Sequence, residues 1–227
     1  MAKYRFSALK ENYDKARQGQ VRLHVSETNS KLGCIPSFNL LPGLTCSPEA
    51  CRHCLREGCY AVKNLFCHGY NIEKNTTLRA WADNTVLATE YLERLEICII
   101  DWLVKHHNIT LFRIHSSGDF FSVEYANMWY SIAHMFPAIR FLAFTKQWDI
   151  VRQVPFYELP NFSLVLSGWT GISIPEDLRE QYACAWCNDG EETRIPDDAM
   201  QCPGSCESCG LCWYLKEIGR DTVFTKH

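Results

Sequence analysis

The sequence predicts an α/β protein built as a partial or distorted β/α barrel, TIM-like in its winding, with cysteine-rich loops at both ends. Three observations carry this expectation. Apolar runs of strand length alternate with helical stretches of roughly 10 to 15 residues, each run stops at a polar cluster, and no G-x-G-x-x-G fingerprint follows any of them. The absent fingerprint argues against a dinucleotide site and ranks a doubly wound open sheet second. The 227 residues, 47% hydrophobic and 13% aromatic, suffice for one sizeable core. The chain therefore reads as a single domain, 1–227, with cysteine-rich loops at 34–67 and 184–213.

The elements follow in order. "QVRLHVS" alternates apolar and polar residues as a short strand does, and the turn-rich "ETNSKLGCIPSFNLLPGLTCSPEAC" after it delivers a first group of cysteines. From Thr76 to Lys105 Gly and Pro disappear, while Leu87, Tyr91, Leu95, Ile99 and Trp102 or Leu103 recur at helical spacing. One long helix or two abutting ones fit that pattern, with Cys98 on the apolar side as a small buried hydrophobe. Then come "ITLFRIHSSGDF" as strand and loop, "SVEYANMWYSIAHMF" as a helix capped by Ser122, and "AIRFLAFTKQW" as strand and loop. "DIVRQVPFYEL" reads as a short helix and "FSLVLSGWTG" as a third strand and loop.

Each of the three strands ends in polar residues: His115, Ser116, Ser117, Gly118 and Asp119; Thr145, Lys146 and Gln147; Ser167, Gly168, Trp169 and Thr170. In β/α folds ligands bind at the carboxyl ends of the strands, so these loops converge on the face where chemistry belongs. His115, Asp119 and Lys146 are the catalytic candidates, and Ser117, Gly118 and Trp169 the candidates for holding a cofactor or substrate. The bland alternative is equally concrete. Ser and Thr cap helices, Asp after Gly forms turns, and a single histidine is often a hydrogen-bonded structural residue.

Composition narrows the function classes. A net charge of -3 with scattered basic residues lacks the basic stripe of a nucleic-acid binder. The most apolar stretch, Leu95 to Val104, is interrupted by Glu96 and Asp101 and is too short to span a bilayer. No secretion signal is legible in the first twenty residues, so a cytoplasmic protein is expected. In a reducing compartment, thirteen cysteines point to metal or redox chemistry rather than structural disulfides.

Those cysteines fall into two groups, leaving Cys34 and Cys98 apart. The first is Cys46-x4-Cys51-x2-Cys54-x4-Cys59, with Cys67 beyond; the second is Cys202-x3-Cys206-x2-Cys209-x2-Cys212, preceded by Cys184-x2-Cys187. Thiolates two or three residues apart on an irregular loop can wrap a four-iron, four-sulfur cluster, each sulfur reaching a different iron. A zinc ion is the rival: Cys184-x2-Cys187-x18-Cys206-x2-Cys209 fits a two-knuckle site. Disulfides or simple packing come third. Cys202-x3-Cys206-x2-Cys209 also has the spacing of the radical SAM signature, but Cys212 is placed to fill the fourth iron and close the cluster to SAM. Trp213 would shield either metal from water.

Taken together, "NSKLGCIPSFNLLPGLTC", "CLREGCYAVKN", "FRIHSSGDFFS", "RFLAFTK" and the final "CPGSCESCGLCW" resemble the phage gene product eighty-eight domain family, from about Asn29 to Trp213. The resemblance implies a phage-encoded iron-sulfur protein with a partial barrel similar to radical SAM folds, in the host cytoplasm. The ligands it implies are Cys46 and Cys59 with Cys51, Cys54 or both, and Cys202, Cys206, Cys209 and Cys212. Its "SGDF" loop falls on Ser117, Gly118, Asp119 and Phe120. Cys34, Cys67, Cys184 and Cys187 lie outside the family pattern.

The expectation is an iron-sulfur protein with one or two four-iron clusters, redox-active towards an electron donor or small-molecule substrate. SAM is a cofactor that the spacing alone does not support. The alternative is a zinc-stapled structural or interaction module without catalysis.

Overall fold

A computed structural model of the chain describes residues 6–48, 59, 61, 62, 65, 71–169 and 171–225. The described elements are α1 (Phe6–Arg17), β1 (Val25–Ser26), β2 (Ser37–Phe38), α2 (Thr76–Glu90), α3 (Leu92–Lys105), β3 (Leu111–Ile114), α4 (Val123–Met135), β4 (Arg140–Thr145) and α5 (Trp148–Val151). A 3-10 turn at Phe156–Glu158 leads into β5 (Phe162–Gly168), α6 (Glu176–Arg179), β6 (Ala183–Asn188), β7 (Met200–Gln201) and α7 (Cys206–Cys209). A second 3-10 turn, Leu211–Tyr214, runs into α8 (Leu215–Ile218) and β8 (Thr222–Thr225).

All eight strands share one mixed, mostly parallel sheet in the order β1-β2-β3-β4-β5-β6-β8-β7. Only the β1–β2 pair is antiparallel, with Val25 opposite Phe38. From β2 to β6 each strand is laid beside its predecessor in chain order, without the reversal that defines the switch point of a doubly wound sheet. The sheet is open among the described residues, with β1 and β7 at its edges.

Strand alternation divides the side chains between two faces. Phe112 and Ile114 of β3, Phe141 and Ala143 of β4, Leu164 and Leu166 of β5, and Cys184 and Trp186 of β6 join the large core made with the helices. Against them α2 lays Leu78, Ala82, Val86 and Leu87, α3 lays Leu95, Ile99 and Leu103, and α4 lays Tyr125, Trp129 and Ile132. Each large side chain so buried contributes about 1.5–3 kcal/mol, so this layer supplies most of the apolar driving force.

The opposite face carries Leu111, Leu142, Phe144, Val165, Ala183, Ala185 and Phe224. No long helix covers it among the described residues; Leu32, Ile35, Trp213 and Leu215 do, with Cys206 and Cys212 packed alongside. The rings of Phe144 and Phe224 meet at 5.7 Å between centroids. Their strands, β4 and β8, are three spacings apart, about 14 Å in a flat sheet. The sheet is therefore curled, with this second face concave.

The Thr76–Lys105 stretch forms two abutting helices that share Tyr91, whose φ of -138° and ψ of 51° end α2 and start α3. Asn75 caps α2 by accepting the Leu78 N–H, and Ser122 caps α4 by accepting the Tyr125 N–H, as its sequence position suggests. Cys98 is half-buried beside the Leu95–Ile99 stripe, not within it. "QVRLHVS" is strand only at Val25–Ser26. No helix among the described residues is long and apolar enough to cross a membrane.

Candidate functional site

The C-terminal cysteines occupy the concave face. Cys202 follows β7 and donates its N–H to the Val223 carbonyl at 2.9 Å, which pins it to β8. The Cys206 N–H reaches the Lys31 carbonyl at 2.8 Å, fastening α7 to the turn near residue 31. After Cys209 the chain must reverse within one residue, and Gly210 does so at φ +64°, returning its N–H to the Cys206 carbonyl at 2.8 Å. Cys212 is held from the sheet side by the Ser163 hydroxyl, which donates to its carbonyl at 2.8 Å. Next to it, the buried Trp213 donates Nε1–H to the Phe112 carbonyl at 3.3 Å.

Cys202, Cys206, Cys209 and Cys212 thus line one shallow, open hollow, with Trp213 as part of its wall. Burial raises the Cys206 thiol and pushes Cys212 up to about 12, while Arg113 is the largest influence opposing burial at both. Lys31 adds to the opposition at Cys206. Two cations thus lean on the site, each seated on an aromatic ring of the same face. The Arg113 guanidinium lies 4.1 Å from the Phe144 centroid and the Lys31 ammonium 4.7 Å from that of Phe224. Among the described residues no three His, Cys, Asp or Glu side chains are grouped so as to hold one metal ion.

The remaining cysteines are placed differently. In β6, Cys184 points into the helix-side core, its thiol pushed up to about 12 by burial, while alternation turns Cys187 to the concave face. A single ion cannot reach both, so the two-knuckle zinc spacing loses its first knuckle. Cys34 is exposed, and its N–H donates to Glu207 of α7 at 3.2 Å. From the first group, Cys46 accepts the Gly43 N–H at 3.3 Å and Cys59 packs on the main core. Cys51, Cys54 and Cys67 lie outside the described residues.

The strand ends form a second, polar cluster. Asp119 is buried; its Oδ1 accepts the Thr145 hydroxyl at 2.7 Å and the Phe120 N–H at 2.8 Å, and its Oδ2 accepts the Lys146 N–H at 2.9 Å. Burial pushes this carboxyl up to about 6 even against those donors. Lys146 donates Nζ–H to the Ser167 hydroxyl at 2.7 Å, and its ammonium stands 5.7 Å from the Trp169 ring centroid. Gly118, at φ +86°, sits where a Cβ would come within 2.6 Å of Leu40 Cβ and 2.8 Å of Thr45 Oγ1. Only glycine lets the loop close that tightly. Thr45, next to Cys46, receives the Asp119 N–H at 3.3 Å.

His115 turns away from this chain of contacts. At φ +60° it shares a 2.6 Å hydrogen bond from Nε2 with the Tyr125 hydroxyl, packs edge-on against Phe120, and is held down to about 3 by burial, with Arg113 adding to the effect. Its Nδ1 and the Ser117 hydroxyl are buried without a hydrogen-bond partner among the described residues. Asp119, Lys146 and Trp169 are therefore drawn together at the strand ends, Ser117 and Gly118 back them, and His115 faces α4. Thr45, Lys31 and Arg113 were not legible as site residues. The only hint was Arg113 itself, a charge in an otherwise apolar strand run.

Comparison with known proteins adds one relationship. No curated protein and no solved structure matches the chain significantly. A family model, that of Gene product 88, matches residues 7–215, nearly the whole chain. The protein is a member of the Gene product 88 family.

Proposed function

We propose that the protein is a phage-encoded iron-sulfur protein whose C-terminal quartet, Cys202, Cys206, Cys209 and Cys212, holds a four-iron, four-sulfur cluster. The observation that carries this reading is that four cysteines line one hollow, with Arg113 and Lys31 beside it. The donor set suits the group. A single tetrahedral ion at Zn–S distances requires sulfurs about 3.8 Å apart, whereas a cuboidal cluster accepts a wider ring because each thiolate binds its own iron. When bound, the cluster supplies one-electron chemistry.

This chain's residues do the rest. Trp213 and Leu215 keep water from the buried side, and Ser163 and Lys31 fix the backbone of the loop. Lys146 and Trp169 offer a small-molecule substrate or redox partner an ammonium and an aromatic face, and the buried Asp119 carboxyl holds the Lys146 backbone in place behind them. The sequential strand order and the curl of the sheet support a partial β/α barrel, with the cysteine loop entering its concave side. Cys46 follows β2, the first strand with a parallel neighbour, at the end of the sheet where Asp119 and Lys146 converge. That position supports a second metal group there, and SAM as its partner is a further step for experiment.

Anaerobic quantitation of iron and acid-labile sulfide, with EPR of the reduced protein, tests the reading. Four or eight irons per chain with a cubane-type signal are expected. Stoichiometric zinc in a colourless protein would establish the stapled, non-catalytic module instead.

A further inference from the structure

Arg113 occupies a costly place. It lies in β3 between two strand neighbours, and the burial of β3 alternates so that Phe112 and Ile114 enter the helix-side core while Leu111 and Arg113 take the concave face. A guanidinium on that half-buried apolar surface is an expensive choice unless its charge is used. Its surroundings indicate the use. On one side it stacks on Phe144, which belongs to the same packed group as Cys206, Cys212 and Trp213. Trp213 is itself tied to the Phe112 carbonyl, the peptide that enters Arg113. On the other side Nε and Nη2 donate to the His115 carbonyl at 3.4 and 3.3 Å, where the strand-end loop begins.

We propose that Arg113 is a positioning residue that compensates the charge of the cysteine-lined site and couples that site to the strand-end loop. The inference rests on the iron-sulfur reading. A four-thiolate cluster carries net negative charge that grows by one on reduction, so a fixed cation beside it favours the reduced form. Lys31 contributes as well, but it rides a turn, whereas Arg113 is clamped by a ring and a carbonyl. Arg113 is thus the better fixed of the two charges.

The test is a redox titration of the anaerobically prepared protein, followed by EPR, for wild type, Arg113→Gln and Arg113→Lys. At a potential near the wild-type midpoint, Arg113→Gln is expected to lower the reduced-to-oxidised ratio about tenfold, which is ~59 mV for a one-electron couple. Arg113→Lys is expected to keep most of the wild-type ratio. Should Arg113→Gln lose its iron while Arg113→Lys keeps both iron and potential, the charge is again required. Wild-type midpoints in both iron-loaded variants would overturn the inference and leave the cluster reading standing. Loss of iron from both variants would also overturn it, because shape and not charge would then be what the site needs. Wild-type protein without iron would overturn the cluster reading itself, and the inference with it.

Discussion

At the scale of single residues, Asp119 and His115 are two buried titratable groups, four positions apart, with opposite shifts of pKa. Asp119 is raised from 3.8 to about 6 and His115 lowered from 6.5 to about 3, both chiefly by burial. Between about pH 4 and 6 the folded state holds a proton on Asp119 that the unfolded chain has released, so stability from this group falls as pH rises through that window. For His115 the unfolded chain holds the proton and the folded state does not, so stability from it falls as pH drops. Each slope is about 1.4 kcal/mol per pH unit, and the two cancel. Urea midpoints of wild type should therefore change little between pH 4.5 and 5.5 on account of this pair. Asp119→Asn should expose the histidine slope, becoming more stable with rising pH, and His115→Asn, which tolerates the left-handed backbone, should expose the reverse. Parallel profiles for all three proteins would show that the groups are not buried as described.

At the scale of elements, β6 separates two cysteines that a linear spacing pairs. Cys184 is packed among the helix-side core residues and Cys187 is on the concave face, so alternation and not proximity in sequence decides their roles. Cys184→Ala should keep the metal content of wild type and lose about 1 kcal/mol of stability from the core. Cys212→Ala should abolish the four-iron signal; an intact signal would remove Cys212 from the ligand set. The same element shows where sequence reading stops. β3, β4 and β5 are legible because apolar residues crowd runs bounded by turn-forming residues, and α2 and α3 because their apolar spacing is helical. β6, "ACAWCN", has one strand-favouring aromatic, Trp186, among alanines and cysteines of little strand preference, and β7, two residues long, is too short for a period to develop. The strand-end polar residues could be named because parallel sheets collect loops at one end. Arg113 could not, because its importance depends on which face of a strand turns toward a loop ninety residues away.

At the scale of the whole molecule, the two faces of the sheet differ in how they are closed. Long helices cover one face with Phe112, Phe141, Trp129, Leu95 and their neighbours, a continuous apolar layer that needs nothing further. Among the described residues the concave face has only seven buried apolar side chains and is roofed by the 202–218 segment, whose α7 and α8 are single turns of four residues. Elements that short hold little structure alone, so the roof depends on side chains and on whatever binds the quartet. The proposed cluster is then part of the second core as well as a redox group, since metal affinity gained only by the folded loop is folding free energy. Chelating the iron under anaerobic conditions should raise amide hydrogen exchange across residues 202–218 and along β7 and β8. β3, β4 and the helices α2 to α4 should keep their protection. Exchange unchanged at 202–218 would mean that Trp213 and Leu215 close the concave face unaided, and uniform deprotection would mean that the two faces fold as one unit.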